Sequence, residues 1–212
     1  MNNYKKLKYL FSTSSTEITD IMKAWFAISI AFGIVLGGLK FLFFKAFIIS
    51  AIAVGLGFLL HELSHKIVAR IYKYKAEFRS FDEMLFLSVI MSFFGFVIAA
   101  PGAVMIQAKT YNKEHNGKIS AAGPLMNILL SILFLSIILL LNGSELLKSS
   151  ISSIINLPII YSIPLIGFFV NSWLALFNMI PVWQFDGAKV FKWNKIVYSL
   201  IVLISAFLVF VL

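Results

Sequence analysis

The chain has 212 residues, 60% of them hydrophobic and only 13% charged, with a mean hydropathy of +0.95. Soluble domains carry about 25% charged residues, so composition excludes an ordinary water-soluble protein and leaves no room for a large soluble domain beside the apolar blocks. The net charge of +9 comes from lysines and arginines that flank those blocks, where they set topology and meet anionic headgroups rather than nucleic acid.

There is no cysteine, so disulfides and thiolate ligands are excluded and any metal must be held by His, Asp, Glu or other oxygen donors. The N-terminal stretch up to Asp20 is polar for too long to read as a signal peptide. Apolar segments follow at roughly 21–39, 44–72, 84–106, 119–141, 157–181 and 196–212. A span needs about 20 mainly apolar residues, so six segments suggest up to six crossings.

The segment 84–106 is the exception. If all six cross with Lys5, Lys6 and Lys8 inside, then Lys109, Lys113, Lys118, Lys189, Lys192 and Lys195 fall outside. If 84–106 enters and returns, only Lys40, Lys45 and Lys148 are outside, as the positive-inside tendency prefers. The run SFFGFVIAAPGA within it carries two glycines and Pro101, which interrupt a helix. Non-helical backbone at membrane depth requires shelter by protein or a water-filled cavity.

The second segment ends in FLLHELSHKIVARIY. His61 and His65, four apart, share one helix face and can reach one metal ion, with Glu62 beside them to take a proton from water. Ionisable groups within an apolar helix are costly, which favours a functional reading. The competing reading is a helix end in the headgroup region, with Lys66 and Arg70 facing water.

Catalytic zinc takes three protein ligands, so a third is needed. His115 lies in the polar stretch KTYNKEHNGK and reads as loop; Asp186, in NMIPVWQFDGAK after the fifth segment, is the better candidate. Asp186 meets the histidines only if segment 157–181 runs in the same direction as 44–72. That requires 84–106 to return to its own side, the arrangement that charge also prefers.

HELSH, AAGPLMN and NMIPVWQFDG, in this order, resemble the site-2 protease family of intramembrane metalloproteases, over about residues 44–195. The resemblance implies zinc on His61, His65 and Asp186, Glu62 as catalytic base and acid, and Asn178 as a group that bonds the substrate or oxyanion. Gly123 and Asn127 match the middle motif, where helix packing or substrate contact is expected. Phe185 replaces the usual leucine or methionine before the aspartate, and Gly187-Ala188 stands where a second glycine is common. Asn171, two turns before Asn178, reads as packing, and Trp25, Trp183 and Trp193 as interfacial residues.

The expected fold is an all-α polytopic membrane protein with five to six transmembrane helices and a re-entrant or β-like insertion at about 77–118. Residues 1–212 would form a single membrane-embedded metalloprotease domain. The expected function is zinc-dependent hydrolysis of peptide bonds in or near transmembrane segments, in the cell membrane of a prokaryote, with the site toward the cytoplasm. A non-catalytic membrane metal protein or transporter is the alternative. The expected partners are a membrane-protein substrate and the lipid bilayer, with no nucleic acid and with self-association left open.

Overall fold

The computed structural model describes residues 8–97, 101–107, 110 and 112–210. Helix α1 (Ser15–Gly37) starts where the Ser14 hydroxyl accepts from the Glu17 amide at 3.2 Å. It stops at Gly38, whose positive φ of 62° suits a residue without a side chain. Helix α2 runs Phe43–Ile71, 29 residues, with one π turn at Ala51–Gly55.

Lys73, at φ 65°, turns the chain into strand β1 (Lys75–Ser80). Helix α3 (Asp82–Ser92) follows, then strand β2 (Gly102–Gln107), antiparallel to β1 with Phe78 opposite Val104. Helix α4 (Lys113–Leu140) begins at an Asn112 cap, whose side chain accepts from His115 N at 2.9 Å. After a 3-10 turn at Ser144–Lys148 come α5 (Ile151–Ile154), α6 (Ile159–Asn178), α7 (Asp186–Trp193) and α8 (Lys195–Phe210).

The protein is mostly helical. Among the described residues four helices, α1, α2, α4 and α6, are long and apolar enough to cross a membrane. Among the described residues the segment 84–106 holds no such helix: α3 ends after 11 residues and Gly95 then takes φ 87°. The insertion instead contains a two-stranded sheet whose strands leave α2 and rejoin α4 at the same end of the bundle, where His65 meets Ile119. Residues 98–100, 108–109 and 111 of the predicted insertion lie outside the described set. Helix α8 has 16 residues, about 24 Å at 1.5 Å per residue.

The core sits between α2, α4 and α6, with Ala53, Val54, Ile128, Leu165, Phe168 and Ala175 buried. Polar side chains stitch the same interface: Ser131 Oγ donates to Phe168 O at 2.9 Å and meets Ser172 Oγ at 2.5 Å. Such bonds hold helices together where lipid removes the hydrophobic drive. Two carbonyls of the π turn also accept from side chains: Trp25 Nε1 donates to Ala51 O at 3.0 Å, beside the Leu56 amide, and Asn171 Nδ2 donates to Ala53 O at 3.2 Å. Trp25 is therefore a bonded, half-buried residue, while Trp183 is 93% exposed.

Lys66 and Arg70 do not face water. Both are buried, and Lys66 Nζ lies 2.7 Å from Glu17 Oε1. Arg70 donates to Tyr9 O, Ser12 O and Ala76 O at 2.9, 2.6 and 3.0 Å. A buried ammonium or guanidinium needs such partners, and they were invisible in sequence because they come from the N-terminal segment, α1 and β1.

Candidate metal centre and active site

Three elements bring one group together. His61 and His65 project from one face of α2, and Asp186 opens α7 just beyond the end of α6. Asp186 Oδ2 lies 3.3 Å from His61 Nε2 and 3.1 Å from His65 Nε2, and the two Nε2 atoms are 3.1 Å apart. All three residues are buried.

The outer bonds of the rings fix their tautomers. His65 Nδ1 donates to Ile119 O at 2.7 Å, and His61 Nδ1 donates to Asn127 Oδ1 at 2.5 Å. Asn127 Nδ2 donates to Asn171 Oδ1 at 2.9 Å and to Gly57 O at 3.4 Å, which orients its oxygen toward His61. Both Nε2 atoms therefore carry lone pairs and point, with a carboxylate oxygen, at one spot. Three such atoms converging call for a cation: a metal ion or, in its absence, a proton shared between imidazole and carboxylate.

A tetrahedral zinc with ligands at about 2.0–2.1 Å would space its donors about 3.3–3.4 Å apart, close to the distances found. The donor set fits the metal: two neutral imidazoles and one carboxylate suit zinc. Gly123 leaves space beside it, since a Cβ there would lie 2.5 Å from both Nε2 atoms. Burial would push the Asp186 carboxyl up, but the neighbouring His65 and the bonds from both imidazoles hold it below the usual carboxylate range.

Glu62 follows His61 on α2, half-buried, with the Val104 amide of β2 near its carboxylate. Strand register explains why that amide is available. Phe81 N bonds to Pro101 O, so the odd-numbered pairs of the ladder exchange hydrogen bonds, and Phe78 N instead donates to Glu17 Oε1 at 3.0 Å. The amides and carbonyls of Gly102, Val104 and Ile106 thus face outward from β2. On β1 the matching outer edge is closed by Glu17 on Phe78 N and by Arg70 on Ala76 O.

His115 takes no part: its Nδ1 lies 2.8 Å from the Tyr74 hydroxyl and its ring stacks on Tyr72 at 4.0 Å. Asn178 Nδ2 donates to Leu174 O at 2.9 Å within α6, outside the three-residue group. Gly187 packs tightly on the Met179 backbone, which sets the turn that presents Asp186.

The family described as Peptidase family M50 matches residues 49–194, more than half of the chain and a range that contains every residue of this group. The chain belongs to peptidase family M50, the site-2 protease family. Membership makes this M50 protein a metalloprotease. It is 39% identical over 193 residues to a protein of Methanocaldococcus jannaschii named "Putative zinc metalloprotease", a similarity that covers 91% of this chain and 92% of that relative. No solved structure matches it. Four long apolar helices together with M50 membership describe an integral membrane protein.

Proposed function

We propose that this M50 protein is an intramembrane zinc endopeptidase that hydrolyses peptide bonds in or near transmembrane segments of other membrane proteins. The observation that carries the reading is the position of Glu62, between the His61–His65–Asp186 group and the outward-facing edge of β2. His61, His65 and Asp186 would hold the zinc. When bound, zinc supplies Lewis acidity that eases ionisation of a water near neutral pH and polarises the scissile carbonyl.

Glu62 takes the proton of the attacking water and returns it to the departing nitrogen. The outward amides and carbonyls of Gly102, Val104 and Ile106 receive an extended substrate as an added strand, antiparallel or parallel to β2. A substrate helix must first unwind, because its own carbonyls are bonded internally. Asn178 serves as a donor to the substrate carbonyl only once its amide leaves Leu174 O.

Helices α1, α2, α4, α6 and α8 make five crossings in this reading, with the insertion returning to its own side. His61 and His65 lie six to ten residues before the end of α2, about 9–15 Å along the axis, so the site sits inside the bilayer near one face. The lysine distribution assigns that face to the cytoplasm. Residues 1–212 act as a single domain, with the catalytic core at about 44–195. The clustering of polar groups at one depth argues against a transport path.

The test is cleavage of a transmembrane substrate in detergent by wild type and Glu62→Gln, with bound zinc counted in both. Cutting by wild type alone, with about one zinc in each as a three-ligand site requires, supports the reading. Full activity in Glu62→Gln removes the assigned base, and absence of zinc from wild type removes the centre itself.

A further inference from the structure

We infer that Asn171 is a positioning residue for the metal centre, acting through Asn127 to fix the ring of His61 and anchored on the π turn of α2. The inference rests on the metal reading of His61, His65 and Asp186. It starts from an unbroken path of buried amides. His61 Nδ1 donates to Asn127 Oδ1, Asn127 Nδ2 donates to Asn171 Oδ1, and Asn171 Nδ2 donates to Ala53 O at 3.2 Å and Gly167 O at 2.8 Å. Asn127 and Asn171 are both 0% exposed.

Direction makes the path informative. An amide placed for packing alone could sit either way round. Here Ala53 O and Gly167 O accept only from a nitrogen, so Asn171 must turn its oxygen to Asn127. Asn127 must then turn its own oxygen to His61, which requires the proton on Nδ1 and leaves Nε2 free for the metal.

Two backbone features exist for this path. Ala53 O, the carbonyl that Asn171 Nδ2 reaches, lies within the π turn at Ala51–Gly55, and such turns recur at functional sites. Gly57 supplies the room, since a Cβ there would overlap the Asn171 side-chain amide.

A neighbouring pair separates relay from packing. Ser131 and Ser172 join the same two helices, α4 and α6, are equally buried and do not reach His61. The test compares full-length wild type, Asn171→Ser and Ser172→Ala in detergent. Zinc affinity is measured by chelator competition, and the His61 Nδ1 proton is followed by nitrogen-15 NMR of the metal-free protein.

Asn171→Ser keeps a hydroxyl for Gly167 O but cannot span to Asn127. It should weaken zinc binding about 10–100-fold, the range for outer partners of metal-bound histidines, and lose or broaden the His61 Nδ1 proton signal. Ser172→Ala should change neither. Unchanged zinc affinity and an unchanged His61 signal in Asn171→Ser overturn the inference, as does equal weakening in Ser172→Ala. If Asn171→Ser does not fold, Asn171→Leu, which fills the same volume, takes its place with the same two outcomes. If wild type binds no zinc, the metal reading falls, and the His61 proton alone decides the relay.

Discussion

The Phe78 amide on β1 donates to Glu17 Oε1 on α1 at 3.0 Å, and that carboxylate is paired with Lys66 on α2 at 2.7 Å. One fully buried acid thereby joins α1, the strand pair and the helix that carries the histidines. Breaking a buried pair from one side leaves an uncompensated charge, at a cost of about 3–5 kcal/mol. Glu17→Met and Lys66→Met should each be destabilised by that order, whereas the double replacement Glu17→Met with Lys66→Met should recover much of the loss. Unfolding of the four proteins of this cycle by denaturant in detergent measures it; equal loss in single and double variants would show that the pair is unimportant.

Gly123 offers the sharpest separation of folding from metal binding. Ala is favoured over Gly inside a helix by about 1 kcal/mol, so Gly123→Ala should not unfold α4. Its Cβ would lie 2.5 Å from both Nε2 atoms, in the space the metal needs. The variant should fold and lose zinc, read by metal analysis beside thermal unfolding. Wild-type zinc content in Gly123→Ala would mean that the ion sits elsewhere.

The outward edge of β2 predicts a contrast between neighbours. Proline at position 104 removes an amide that faces away from β1, and proline is tolerated on such an edge. Val104→Pro should leave the protein folded and lower kcat/KM at least about tenfold, from the loss of one or more substrate hydrogen bonds. Met105→Pro, on the inward face of the ladder, should instead destabilise the insertion. Unaltered kinetics in Val104→Pro would remove strand addition from the mechanism.

Asp186 carries a pH dependence in the metal-free protein. Its carboxyl titrates below the ordinary value when folded. A group of this sign stabilises the fold above its unfolded pKa, and the contribution fades as pH falls toward the folded value. Metal-free Asp186→Asn should therefore be less stable than wild type near neutrality and converge with it in strong acid, as denaturant titrations across pH would show. With zinc present, Asp186→Asn should weaken binding beyond the 10–100-fold expected of an outer partner.

Much of this site was legible in one dimension because its chemistry follows helix periodicity. His61, Glu62 and His65 occupy adjacent faces of one turn, and the need for a third ligand, with charge asymmetry, pointed to Asp186. What escaped were groups whose partners lie far along the chain. Lys66 and Arg70 were legible only through the competing reading of a solvated helix end, whereas they are buried against residues 9–17 and Ala76. Asn171 looked like packing, yet it sits one amide removed from the ring of His61, a member of the group that could hold the metal.

The sequence by itself determined that the chain belongs in a membrane and that two histidines and a carboxylate can share an ion, and its charge pattern and helix breakers favoured a return over a crossing for residues 84–106. These follow from composition, local spacing and backbone chemistry, which need no knowledge of neighbours. Only the tertiary structure decided which strand edge stays open, which asparagine supports His61 and which acid neutralises Lys66. Hydrogen-bond direction and charge pairing depend on atoms from several helices meeting within about 3 Å, and no pattern along one strand of sequence records that meeting.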